Sequence, residues 1–359
     1  MRRTQRQTLR RLFFLIIIAL IAIGAWKYLW KKPFWKTSKP QQRTTTQSSS
    51  KPASKIAKNH QQGRPVATSA DTKHDKNLTT TISINHRPTS PNRTKALTLL
   101  KNGIEFYKQG KLLLARANLA DALNSGALSD KQADQARQLL KEIADKTIFS
   151  PDVLKGDPCA FWYTFQPGEV LVKVERKLKL HVPSQLILMV NGIKDAKTIR
   201  AGQTLKMIRG PFHAVVRKSQ FIMDVFLEEP ETHRLIFVRR FRVGLGKNGT
   251  TPSGTWRVAK VGKMTKADWT PPASMGSSKR KIRWYEKDYP LGKEGYWIAL
   301  EGIGQTPYTK EDGYGIHGTN DPASIGKASS MGCIRLADDD IEMLFAMLYE
   351  YWSKVTILP

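Results

Sequence analysis

One short stretch of the chain holds an imidazole, a thiol and a guanidinium, His317, Cys333 and Arg335, separated by chain-bending glycines. A thiol attacks a carbonyl as its thiolate, and a neighbouring imidazole is the usual device for making one near neutral pH. His317 is therefore the candidate base and Cys333 the candidate nucleophile. Gly318 and Gly332 beside them allow sharp turns and close backbone approach. The amides of Gly332 and Cys333 could then face a developing oxyanion. Arg335 follows the cysteine by two residues, so on an extended strand the two side chains share a face. A fixed cation there suits a substrate carboxylate or the thiolate itself. The bland alternative is a packed cysteine with a histidine near it by chance.

Elements that would position these groups are readable upstream. Phe221 to Phe226 and Leu235 to Phe241 are β-rich runs, and Thr251-Pro252-Ser253-Gly254 is turn chemistry between Val243-Gly244-Leu245-Gly246 and Trp256-Arg257-Val258. A strand over Tyr296 to Leu300 follows two loop segments, Trp269 to Pro272 and Tyr289-Pro290-Leu291-Gly292. Between those segments Lys279, Arg280, Lys281, Arg283 and Lys287 stand against Glu286, as a solvated basic loop or a contact for substrate carboxylates.

The whole string, His317-Gly318-Thr319, a loop with Gly326, then Ser330-Met331-Gly332-Cys333-Ile334-Arg335, resembles the signature of the L,D-transpeptidase catalytic domain, also called the YkuD domain. The resemblance implies a mostly β fold over residues 211–359, with loop or lid segments over its cleft. It gives Cys333 the role of acylated nucleophile and His317 that of general base, with the ring oriented by the Gly318 carbonyl. Arg335 assists as an electrostatic or substrate contact, and Ser330 is a polar group behind it. Many members carry a second histidine where Met331 stands, which leaves the proton path here less defined. The reaction implied is attack on the third residue of a tetrapeptide stem with loss of D-Ala, then capture of the thioester by the third-residue side-chain amine of an acceptor stem. If water takes the acyl group the enzyme is an L,D-carboxypeptidase, and if a protein amine does, it anchors that protein to the wall. A reading from another class is a catalytically vestigial wall-binding scaffold. Carbapenems are the expected inhibitors.

Residues 158–210 hold a second informative segment. Tyr163-Thr164-Phe165-Gln166-Pro167-Gly168-Glu169, a helix-like run, Asn191-Gly192-Ile193 and Gly202-Gln203-Thr204-Leu205 describe two short strands enclosing about two helices. This βααβ order resembles the LysM domain, with Glu169 and Val170 where aspartate and threonine are usual. The resemblance implies binding to peptidoglycan glycan, the alternative being a spacer without sugar affinity. Over residues 95–150, Leu97, Leu100, Ile104 and Tyr107, then Leu113, Ala117, Ala120 and Leu123, then Ala133, Ala136, Leu140 and Ile143 recur at helical spacing. Gly103, Tyr107, Gly110, Ala115 and Ala122 resemble a tetratricopeptide-type (TPR-like) hairpin with a following helix, which packs on its neighbours or docks a protein partner. The fold class expected is thus multidomain: an α-helical TPR-like segment, a small βααβ LysM-like module and a mostly-β L,D-transpeptidase catalytic domain.

Arg2, Arg3, Arg6, Arg10 and Arg11 precede an apolar run from Leu12 to Trp26, flanked by Lys27, Trp30, Lys31 and Lys32. Residues 1–35 read as a basic cytoplasmic tip and an uncleaved single-pass anchor rather than a signal peptide, which leaves the catalytic part facing periplasm or cell wall. Residues 36–94, rich in Thr, Ser, Gln, Lys and Pro, read as a disordered tether. The first hundred residues hold twenty Lys and Arg against Asp71 and Asp75, and so carry eighteen of the net +29 charges. That placement favours anionic lipid heads or acidic wall polymers as partners over nucleic acid, for which no motif is present.

With two cysteines, a Cys159–Cys333 bond would silence the nucleophile, so Cys333 is expected free and Cys159 packed. His60, His74 and His86 fall in the tether, and His181, His213 and His233 are isolated, so neither a metal site nor a cofactor is expected.

Overall fold

A computed structural model of the protein describes residues 90–270 and 280–359. All of them belong to one compact unit, Leu78–Pro359. The expected anchor, nearly all of the expected tether, and Lys279 of the basic loop lie outside the described residues. Among the described residues no helix is long and apolar enough to cross a membrane.

The helical segment is three helices, α1 (Ser90–Lys108), α2 (Leu112–Asn124) and α3 (Asp130–Thr147). It begins inside the expected tether, because Ser90-Pro91 opens a helix as well as a loop: proline's missing N–H costs nothing in the first turn. Gly110, at φ +71°, breaks α1 from α2. Gly103 lets the two helices close up, since a Cβ there would stand 2.6 Å from Leu119 Cγ. Ser129 and Gln132 form a capping box that starts α3.

The βααβ order follows as β1 (Ala160–Thr164), α4 (Leu171–Lys177), α5 (Ser184–Val190) and β2 (Thr204–Ile208), with β1 and β2 antiparallel. Glu169 accepts from the Gln166 amide at 3.0 Å and from Tyr163 Oη, fixing the first turn despite its extra methylene. Asn191 ties α5 to β2, donating to Ile187 O and Lys206 O and accepting from the Lys206 amide. On the other side of β2 the fully buried Lys206 amine donates to Thr147 O (2.6 Å), Ser150 O (2.8 Å) and Asp152 O (2.7 Å), capping α3 and locking the helical segment to the module. Burial pulls its pKa down to about 8. Lys206→Met leaves three carbonyls without their shared donor and is expected to cost about 3 kcal/mol of stability. Urea denaturation checks it, an unchanged midpoint counting against the clamp.

The remainder is mostly β. Strands β3 (Phe212–Arg217), β4 (Ile222–Glu228), β5 (Leu235–Arg242), β6 (Leu245–Gly246), β7 (Gly254–Met264), β8 (Trp297–Gly302), β9 (Gly315–His317), β10 (Ala328–Ser330), β11 (Ile334–Arg335) and β12 (Lys354–Leu358) surround helix α6 (Asp338–Met347) in chain order. Eight of them form one sheet in the order β11-β9-β8-β7-β12-β3-β4-β5. The sheet curls until its two edges meet: Gly244, just past β5, exchanges backbone bonds of 2.9 and 2.8 Å with Arg335 of β11. Trp256, Val258, Leu300, Ile316, Ile334, Val355 and Ile357 fill the inside of the curl.

The edge strand β5 is covered by the helical segment, which blunts an otherwise open edge. Asn124 donates to Leu235 O, Arg234 pairs with Asp121, and Arg239 pairs with Asp145 while lying over the Phe149 ring. Arg137, Arg217 and Arg240 surround the buried Asp224. The histidines expected to be isolated have structural partners instead. His213 and His233 both bond Glu228, and His181 stacks on Trp352 at 3.8 Å. Sequence spacing hid these contacts because each joins residues on different turns or strands.

Candidate active site

The candidate residues converge where the sheet closes. β11 pairs with β9 in parallel, setting Arg335 opposite His317 and Ile334 opposite Ile316. Opposed residues project to one face, so His317 and Arg335 share the outer face of the curl while Ile316 and Ile334 enter its core. Cys333 immediately precedes β11, with its Sγ donating to Gly313 O at 3.5 Å.

His317 is buried, its ring stacked on Trp297 at 5.7 Å. Its Nδ1 lies 2.5 Å from Gly318 O. A carbonyl only accepts, so Nδ1 carries the proton and Nε2 keeps a lone pair for a base's work. Gly318 has to be glycine: a Cβ would stand 2.8 Å from Leu291 O and 2.9 Å from Asp338 Oδ1. The Leu291 loop and the first residue of α6 thus press on the backbone that orients the imidazole.

Burial dominates the acid–base behaviour of both groups. Burial, helped by the Arg335 charge, pulls the His317 pKa down to about 4 against the Gly318 hydrogen bond. Burial pushes the Cys333 thiol up, with the Gly315 backbone bond and Arg335 opposing it. Desolvation of both groups outweighs the cation's pull, and the proton must move during attack rather than before it.

Of the two candidate oxyanion amides, that of Gly332 already has an acceptor. Gly332 N–H donates to Ser330 Oγ at 3.2 Å, and Ser330 Oγ in turn donates to Cys333 O at 2.6 Å. The serine is thus the strut of the nucleophile turn, and its bond occupies the Gly332 amide. The next amide, of Cys333, has no acceptor among the described residues and is the donor left to face an oxyanion.

Thr251 escaped the sequence because a threonine in a Thr-Pro-Ser-Gly turn reads as turn chemistry alone. Buried at 1 % exposure, its Oγ1 accepts from Gly246 N at 2.8 Å and donates to Gly332 O at 2.9 Å. It thereby pins the nucleophile turn to the β6 turn. Thr251→Val keeps the shape and deletes both bonds. We expect it to slow alkylation of Cys333 by iodoacetamide about tenfold, because small displacements of a reacting atom are costly, and to cost about 2 kcal/mol of stability for the Gly246 amide and Gly332 carbonyl left unpaired. Thr251→Ser should restore the rate, and mass spectrometry of the adduct reads both.

The basic loop is largely self-contained among its described members. Arg280 pairs with Glu286, and Arg283 donates to Tyr285 Oη at 2.8 Å. Cys159 and Cys333 are both free, and Cys159 is buried 3.7 Å from Arg116 Nη2, its thiol pushed up to about 12 by burial.

The curled, mostly-β sheet thus sets His317 and Arg335 on adjacent strands, with Cys333 just ahead of the second. Residues 212–357 match the family model of the L,D-transpeptidase catalytic domain, YkuD. A protein of Bacillus licheniformis described as "Putative L,D-transpeptidase YkuD" is 28% identical over 200 residues, which span 55% of this chain and 98% of that protein. Its namesake in Bacillus subtilis is 45% identical over 62 residues, 17% of this chain and 32% of that one. Among solved structures, L,D-transpeptidase 3 from Mycobacterium tuberculosis shares 19% identity with a TM-score of 0.30, over 44% of this chain and 66% of that one. The chain thus spans nearly all of one of these relatives, a third of another and under two thirds of the solved structure. Relatives through this catalytic domain make the protein an enzyme, an acyltransferase.

Proposed function

We propose that the protein is a peptidoglycan L,D-transpeptidase that joins the third residues of two stem peptides through a thioester on Cys333. The observation that carries this reading is the parallel register of β9 and β11, which sets His317 and Arg335 on one face beside Cys333. His317 Nε2 takes the thiol proton as Sγ attacks the donor's third-residue carbonyl, and the oxyanion faces the Cys333 amide. The imidazolium then returns its proton to the leaving D-Ala amine. In the second half the acceptor's side-chain amine attacks the thioester, loses a proton to His317, and releases the thiol. Arg335 meets no acid among the described residues and suits a carboxylate of the donor stem.

Residues 158–210 would hold the glycan as a LysM-like module, and residues 1–35 would anchor the chain in the cytoplasmic membrane with the catalytic part facing periplasm or wall. The test is mass spectrometry of tetrapeptide-stem muropeptides incubated with full-length protein in detergent, beside Cys333→Ala. A cross-linked dimer lighter by one D-Ala, made only with the cysteine present, is the expected product. A tripeptide monomer would instead define a carboxypeptidase, and untouched substrate beside an intact thiol would define a scaffold.

A further inference from the structure

The outer face of the curled sheet carries more cations than the chemistry above uses. Arg242 ends β5, and Gly244, two residues on, pairs antiparallel with Arg335. Arg242 and Arg335 therefore leave the same face as diagonal neighbours, roughly 7–8 Å apart at the backbone. The Arg242 guanidinium rests on the loop before β10: a Cβ on Gly326 would stand 2.3 Å from its Nη2, and Lys327 comes next in the chain. Farther along the face the arginines are neutralised, Arg217 and Arg240 on Asp224 at 2.6 Å each. Arg242 and Lys327 are exposed and, among the described residues, neither forms an ion pair. Asp321, the exposed acid of the same loop, pairs with neither.

Two unpaired cations beside an unpaired site arginine make a face complementary to a ligand with more than one negative group. A planar guanidinium held against backbone suits a carboxylate better than a mobile ammonium does. We propose that Arg242, with Lys327 beside it, is a second carboxylate-binding point for the peptide substrate, separate from Arg335, and that it selects peptides bearing a free side-chain carboxylate over their carboxamide forms. The proposal rests on the stem-peptide reading above.

Steady-state kinetics of full-length protein and Arg242→Ala, on one tetrapeptide stem prepared as carboxylate and as carboxamide, tests it. The substitution is expected to raise KM for the carboxylate peptide about tenfold, the size of a lost charge-assisted bond, with kcat within about twofold. The carboxamide peptide should show a high KM in both proteins, and Arg242→Lys should recover part of the difference. An equal KM change for both peptides, or none, overturns the proposal. Calorimetric binding of both peptides to Cys333→Ala, with and without Arg242→Ala, separates this from the function proposed above. Carboxylate-selective, Arg242-dependent binding without any turnover by the intact enzyme would sink the transpeptidase reading and leave the binding point standing. Turnover with Arg242-independent binding would do the reverse, and absence of binding by either peptide would end both.

Discussion

Replacing His317 with alanine is expected to slow acylation of Cys333 at pH 7 by about 10³-fold, within the range usual for loss of a positioned base. Burial pushes the Cys333 thiol up and pulls the His317 imidazole down to about 4, and both shifts disfavour a standing thiolate–imidazolium pair. Attack then depends on a base that receives the proton in the transition state, and His317 Nε2 is the lone pair left free by the Nδ1 bond to Gly318 O. The pH profile follows from the same two shifts. The acylation rate should climb through about pH 4 as His317 loses its proton and stay level through neutrality. A pre-formed thiolate and imidazolium pair would instead let iodoacetamide label Cys333 rapidly at pH 5. Unchanged rates in His317→Ala across that range would remove the residue as the base. The buried ring also links folding to pH. Its folded pKa of about 4 lies below the ordinary histidine value of about 6.5, so the unfolded chain binds the extra proton between them. The stability it confers is complete above pH 6.5 and falls by about 3 kcal/mol as pH drops through 4.

What the sequence made legible was local. Leu140, Ile143 and their neighbours announced α3 because helical periodicity needs no partner elsewhere in the chain. His317, Cys333 and Arg335 could be proposed as a site because acyl transfer restricts residue types so strongly that a short string suggests them. The closure of the sheet at Gly244 and Arg335 was not readable, since strand partners far apart in the chain leave no pattern in either segment. Burial of His317 was equally hidden, because the groups that press on Gly318, Leu291 and Asp338, come from a loop and a helix on either side of it in the chain. That burial shifts the pKa of both groups, an effect the sequence does not disclose. Ser330 and Gly332 show the same limit. Both belong to the nucleophile turn, yet only the fold reveals that the serine hydroxyl occupies the glycine's amide.

Gly332→Ala is expected to cut acylation of Cys333 about 10²-fold while costing only a few kcal/mol of stability. Gly332 sits at φ +141°, a backbone conformation that side-chain-bearing residues rarely adopt. A Cβ there would stand 2.9 Å from Tyr314 Cε1 and 3.1 Å from Thr250 O. The ring of Tyr314 is held by Trp256 and Tyr308 at 5.4 and 4.9 Å, so it has little room to yield. Relief must come from the turn itself, and the turn carries the Cys333 amide and thiol. Thr251, bonded to Gly332 O, would transmit part of the displacement to the β6 turn. Gly304→Ala is the control that separates strain from misplacement. Gly304 also has a positive φ, +67°, but a Cβ there meets nothing within 4 Å, and the residue lies in the loop after β8. It should lose comparable stability and keep its acylation rate. Equal loss of activity in both variants would mean that general destabilisation, and not the geometry of the nucleophile turn, limits the enzyme.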